Sequence, residues 1–103
     1  MYRHQYRSEV LYGHFRAYME ICHEISELER SRGWAEAKVW TPTFGTDNEA
    51  VIIAEYASLA AFEDDRKARH ADSEYLKLVG RASELCRQGT ISDEMLEEAP
   101  RRT

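Results

Sequence analysis

The stretch Ala50-Val51-Ile52-Ile53-Ala54-Glu55-Tyr56-Ala57-Ser58-Leu59-Ala60-Ala61-Phe62-Glu63 decides how this chain folds. From Ala50 to Tyr56 only Glu55 is charged, and such a short apolar run is expected of a central strand covered on both faces. Ser58 then offers a hydroxyl where a helix needs a cap. Leu59, Phe62 and Arg66 open a stripe at helical spacing, so strand gives way to helix within a few residues.

Upstream of this junction stand Pro42, Gly45, Asp47 and Asn48, a cluster of turn formers. Before them residues 35–43 alternate, with Ala37, Val39 and Thr41 opposite Lys38 and Trp40. The two runs predict a β-hairpin with a loop longer than two residues. Farther upstream the period is helical: Phe15, Tyr18, Met19, Cys22, Ile25 and Leu28 recur at three and four over His14 to Arg32. Glu20, Glu24, Glu27 and Arg30 occupy its outer positions, and Gly33 stands where a C-terminal cap belongs. Residues 2–11 alternate again, with Tyr2, His4, Tyr6, Ser8 and Val10 on one face and Arg3, Gln5, Arg7, Glu9 and Leu11 on the other.

Downstream, a helix from 59 to about 70 is predicted to break at Ala71-Asp72-Ser73, where Asp72 or Ser73 caps a second piece running to about Arg87. Gly89 closes that piece, and residues 90–100 are read as a short last strand. The resulting order, β-α-β-β-α-β, is the ferredoxin-like arrangement of the α+β class: a four-stranded antiparallel sheet with two helices on one face. The other sheet face is then uncovered and carries some of Tyr2, Tyr6, Trp40, Phe44, Ile52 and Tyr56. An apolar, aromatic face of that size calls for a cover, and a second copy of the chain is the simplest, which makes a homodimer the expected state.

Composition agrees and excludes several classes. The chain has 103 residues, enough for a single domain that buries about two-thirds of its extended surface. A hydrophobic share of 43% and an aromatic share of 11% argue against disorder. The formal net charge of −5 argues against nucleic acid as a partner, because a phosphate backbone needs a basic surface. Ala50 to Ala54 is the longest unbroken apolar run, far short of the ~20 residues of a membrane span. The polar start, Met1-Tyr2-Arg3-His4-Gln5, does not resemble a secretory signal, so the two cysteines are expected as free thiols in the cytoplasm.

At the level of motifs the chain resembles the dimeric α/β-barrel superfamily. The likeness rests on element order, on the junction quoted above, and on His70-Ala71-Asp72-Ser73-Glu74-Tyr75. That stretch is similar to the His-x-x-Ser-x-aromatic step of monooxygenase-like domains. The junction looks like that of NIPSNAP-like and antibiotic-biosynthesis-monooxygenase-like proteins. The resemblance implies two ferredoxin-like subunits packed sheet against sheet. It also implies, as one reading, a cofactor-independent oxidoreductase or isomerase acting on a small aromatic or polyketide-like metabolite. The alternative is a dimer that binds a small molecule, or answers stress, without chemistry; fold alone does not choose. Haem-degrading relatives carry an Asn on the first strand and a helical His as iron ligand. Here the first strand has Gln5 and His70 falls at a helix break, so haem is not expected, nor any other cofactor.

Candidate site residues follow from side-chain chemistry. His70, beside the helix break, is the expected proton acceptor, with Tyr6 as its partner in catalysis. His4, Trp40 and Tyr56 would line an aromatic cavity for an apolar metabolite. Arg7, on the opposite strand face from His4 and Tyr6, would favour a carboxylate if that face were the inner one. His23 and Glu27 share a helical face but His14 lies about 180° away, so no metal site is expected. Cys22 on the apolar stripe reads as a buried packing thiol, and so does Cys86.

Overall fold

The computed structural model describes residues 1–45 and 47–100. Seven elements follow one another: β1 (Tyr2–Glu9), α1 (Phe15–Arg32), β2 (Lys38–Trp40), β3 (Glu49–Tyr56), α2 (Leu59–His70), α3 (Ser73–Glu84) and β4 (Ser92–Glu97). The strands form one sheet in the order β2-β3-β1-β4, with every neighbouring pair antiparallel. This is the ferredoxin-like α+β fold, with the second helical region split in two. β3 lies inside the sheet, as its apolar run requires. β2 is only three residues long, shorter than the alternation over 35–43 suggested.

Local chemistry explains the boundaries. Ser58 accepts a hydrogen bond from the Ala61 N–H at 3.1 Å and starts α2. Asp72 accepts from the Tyr75 N–H at 3.0 Å and starts α3, so the break and its cap fall at the expected residues. Arg32, at the end of α1, reaches both Asp72 and Glu74 at 3.0 Å and ties the break to the neighbouring helix. The Tyr75 N–H, and after it the Arg32 guanidinium, hold the Asp72 carboxyl below its ordinary range. α1 ends on Gly33, whose φ of 71° is one that a side chain disfavours. The reversal lets the Trp34 N–H donate to the Glu29 carbonyl at 3.0 Å, bringing the indole back over the core.

Register decides the two sheet faces. Pairing Tyr2↔Tyr56, His4↔Ala54, Tyr6↔Ile52 and Ser8↔Ala50 puts the even residues of β1 on the face that α1, α2 and α3 cover. The core beneath the helices holds Val10, Tyr18, Cys22, Ala50 and Cys86, with a second cluster of Ile21, Leu28 and Leu78 between helices. The uncovered face differs from expectation. Of the six apolar residues expected to be shared with it, Trp40 alone stands there. Tyr2, Tyr6, Ile52 and Tyr56 turn toward the helices, and Phe44 projects from the β2–β3 loop. The open face instead carries Trp40, Val51, Ile53 and Leu96, framed by the pairs Arg3–Glu55 and Arg7–Glu49 at 3.7 and 3.1 Å. Among the described residues no helix is long and apolar enough to cross a membrane.

A cleft between sheet and helices

A partly open cleft of about 290 Å³ lies between the covered sheet face and the three helices. Burial gives it a mouth and an inner wall. His4, Phe62, Arg66, His70 and Asp93 stand at the mouth, and Glu29, Tyr56, Asp65 and Arg69 build the inner wall. Tyr6, Ile25, Ile52, Tyr75 and Val79 line the passage between them.

At the mouth the His4 Nε2 is hydrogen-bonded to Asp93 Oδ1, bringing β1 and β4 together through a side-chain pair. The imidazole also rests against Phe62, ring centres 5.2 Å apart, and Phe62 meets Tyr56 edge-on at 5.3 Å. The Arg66 guanidinium covers Phe62 from outside, 5.9 Å from the ring centre. His70, the last residue of α2, is exposed and borders both the cleft and a shallow groove along α2.

The inner wall is a buried charge cluster. Arg69 donates from Nη1 to Glu29 Oε2 and from Nη2 to the Ala35 carbonyl, both at 2.6 Å, and from Nε to Asp65 Oδ2 at 2.8 Å. Its guanidinium also lies 5.2 Å from the Trp34 ring centre and 5.3 Å from that of Tyr75. Glu29, with only 1% of its surface exposed, uses its other oxygen to accept from the Ala37 N–H at 3.2 Å. The Tyr56 hydroxyl donates to Asp65 Oδ2 at 2.7 Å. Each side-chain nitrogen of Arg69 and each carboxyl oxygen of Glu29 is therefore engaged, as burial demands.

These surroundings shift the titration of the cluster. Burial raises the Glu29 carboxyl above its ordinary range, against the lowering effect of Arg69 and the Ala37 N–H. For Arg69 burial disfavours the charge, but hydrogen bonds to Glu29 and Asp65 outweigh it and keep the guanidinium protonated. Burial, then the bond to Asp65, pushes the Tyr56 phenol well above the ordinary tyrosine value. Burial raises Tyr6 as well, with Cys86 and Asp93 adding to it. Cys22 is pushed up to about 11, mainly by burial, so its thiol serves packing rather than nucleophilic chemistry.

A phenol raised in the folded state contributes stability that is fully present below its unfolded pKa of about 10 and is lost as pH rises through the folded value. The protein is thus expected to lose thermal stability from about pH 10 upward. Tyr56→Phe, which keeps the ring and removes the proton, should flatten that decline in melts taken across the alkaline range. An unchanged slope would remove Tyr56 from the explanation.

The cleft gathers His4, Tyr6, Tyr56 and His70, four of the six residues singled out from the sequence. Arg7 and Trp40 are corrected: both point from the opposite sheet face, Arg7 bound to Glu49 and Trp40 exposed on the edge strand. The reason is geometric, since a strand's alternation separates two sets of residues without saying which set meets the helices. Sequence reasoning missed Glu29, Asp65, Arg69 and Asp93. A signal existed for the first: Tyr18, Cys22, Ile25 and Glu29 form one helical stripe, so Glu29 had to point inward. Among the described residues, no three His, Cys, Asp or Glu side chains are grouped to hold a metal ion.

Comparison with known proteins follows the same lines. A NIPSNAP domain protein from Burkholderia xenovorans superposes with a TM-score of 0.79 at 18% identity, covering 96% of this chain and 95% of its own. A NIPSNAP family protein of unknown function from Agrobacterium tumefaciens gives 0.79 at 19% identity, over 96% and 88%. A protein described as an antibiotic biosynthesis monooxygenase gives 0.75 at 15% identity, over 97% and 100%. At such identities these likenesses establish the shared fold. No curated protein matches the chain. The NIPSNAP family model matches residues 14–97, from the first helix through the last strand, and the chain belongs to the NIPSNAP family.

Proposed function

We propose that the cleft binds a small aromatic or polyketide-like metabolite and that the chain's own side chains move a proton on it. Such a step is what an isomerase or a cofactor-independent oxidoreductase requires. The observation that carries this reading is the His4–Asp93 pair at the mouth of a cleft whose passage is lined by aromatic and aliphatic side chains. With Nε2–H donating to Asp93, the imidazole keeps its lone pair on Nδ1, as a general base needs. Tyr6, two residues along the same strand face, is held protonated by burial and supplies a hydrogen-bond donor.

For a ketone substrate, His4 takes a proton from the carbon beside the carbonyl. The C–H electron pair moves into the carbonyl, and the enolate oxygen receives a hydrogen bond from Tyr6. Where the ketone is β,γ-unsaturated the enolate is a dienolate, and return of the proton to the γ-carbon moves the double bond into conjugation, an isomerisation with no oxidant. In this reading His70, exposed at the outer edge of the cleft, exchanges protons with solvent.

Proton–deuterium exchange at the α-carbon of 2-tetralone in heavy water tests the proposal by NMR. The wild type should accelerate exchange, and His4→Ala and Tyr6→Phe should each lose about a hundredfold of the acceleration. No acceleration by the wild type would leave a binding protein without chemistry. His70→Ala measures the share of the outer histidine.

The same reading includes a homodimer, in which a second copy covers Trp40, Val51, Ile53 and Leu96. Light scattering that gives a monomer at micromolar concentration would overturn it. The two free thiols packed in the core favour a reducing compartment, and we assign the protein to the cytoplasm.

A further inference from the structure

The inner wall of the cleft also carries information about the ligand's charge. Arg69 is the cation buried there, and its Nε, Nη1 and Nη2 already donate to Asp65, Glu29 and the Ala35 carbonyl. Three of its five N–H groups are spent on these partners, and the carboxylates of Glu29 and Asp65 beside it oppose the approach of an acid. The cluster of Arg69, Glu29 and Asp65 holds one guanidinium against two carboxylates. The arginines that could recognise an acid from β1, Arg3 and Arg7, stand on the other sheet face and are paired with Glu55 and Glu49.

Asp65 is the member with spare capacity. Its side chain is about nine-tenths buried, and Oδ2 alone receives both Tyr56 and Arg69. Oδ1 has no partner among the described residues. No fully buried side-chain oxygen or nitrogen there lacks one, so Oδ1 keeps some exposure, and Asp65 lines the cleft. A carboxylate oxygen in this setting accepts hydrogen bonds and repels anions. The aromatic walls supplied by Tyr6, Phe62 and Tyr75 set the shape of what reaches it.

We infer that the cleft selects aromatic ligands bearing a hydrogen-bond donor, a hydroxyl or amino group that is placed on Asp65 Oδ1, and rejects the corresponding carboxylates. The inference rests on the aromatic-cleft reading above and adds the polar group that the ligand presents. Arg66 does not reverse it: its guanidinium lies over Phe62 at the exposed mouth, where water competes for it and salt screens it.

Calorimetric titration at neutral pH with 2-naphthol, naphthalene-2-carboxylate and naphthalene tests this, using the wild-type chain and Asp65→Asn. The wild type should bind 2-naphthol about tenfold or more tightly than the carboxylate, the hydrogen bond to a charged acceptor being the difference. Asp65→Asn, its fold verified by circular dichroism, should narrow that gap, and if it fails to fold the wild-type ranking decides alone. Equal or tighter binding of the carboxylate would overturn the inference while leaving an aromatic cleft in place. No binding by any of the three at millimolar concentration would overturn the cleft reading, and this inference with it.

Discussion

Glu29→Ala should cost about 3–5 kcal/mol of folding stability, because it removes one partner of a buried ion pair and strands the other. Stability of a domain this size is about 5–15 kcal/mol, so the variant would forfeit a large share. At about 4–8 °C per kcal/mol its melting temperature should fall by about 12 °C or more. The physical asymmetry lies in what each deletion leaves behind. Without Glu29, the Arg69 guanidinium still has Asp65, the Ala35 carbonyl and two aromatic faces. Without Arg69, two carboxylates remain in the same buried pocket with no cation between them. Arg69→Met should therefore be worse than Glu29→Leu, and the Glu29→Leu/Arg69→Met double variant should recover part of the loss. A Glu29→Ala protein melting within about 2 °C of the wild type would show that water already reaches the cluster.

Tyr18→Ala should be comparably damaging, at about 3–5 kcal/mol, for a different reason. Tyr18 is 2% exposed and packs with Val10, Cys22, Ala50 and Cys86 at the centre of the sheet–helix core. Truncation leaves a void that its rigid neighbours, two strands and a helix, cannot close. Because Tyr18 also borders the cleft, that void joins it and enlarges it. Tyr18→Phe keeps the ring and should lose only about 1 kcal/mol, the contribution of a hydroxyl that interacts with Ser8. Urea unfolding distinguishes the two. A Tyr18→Ala loss below about 1 kcal/mol would mean that the core collapses around the missing ring.

Much of the fold is legible in the residues because the chain changes period sharply. Alternation over 2–11, helical spacing over 15–28 and the apolar run at 50–56 each admit one regular structure, and Ser58, Asp72 and Gly33 mark the boundaries through their own chemistry. Which residues meet one another is less legible. Alternation alone separates Arg7 from His4 and Tyr6, but which set meets the helices, and which side Trp40 takes, depends on packing and on the pairing of β1 and β2 with β3, long-range facts that no local pattern contains. The buried cluster was hidden for another reason. Asp65 and Arg69 sit in Glu63-Asp64-Asp65-Arg66-Lys67-Ala68-Arg69, where a run of charges reads as a solvated helix face. Their inward turn depends on Glu29, forty positions from Arg69, which makes burial of all three affordable together.

The break at Ala71-Asp72 has a metric consequence. Drawn as one straight helix, Leu59–Glu84 would be about 39 Å long. β3, the longest strand along with β1, has eight residues and spans about 27 Å. An unbroken rod would overhang the sheet by roughly a third of its length and press against it along a single line. The break at Asp72 divides that length between two helices of twelve residues, about 18 Å each. Each half is then shorter than β1 and β3, and both supply side chains to the cleft over His4 and Tyr6.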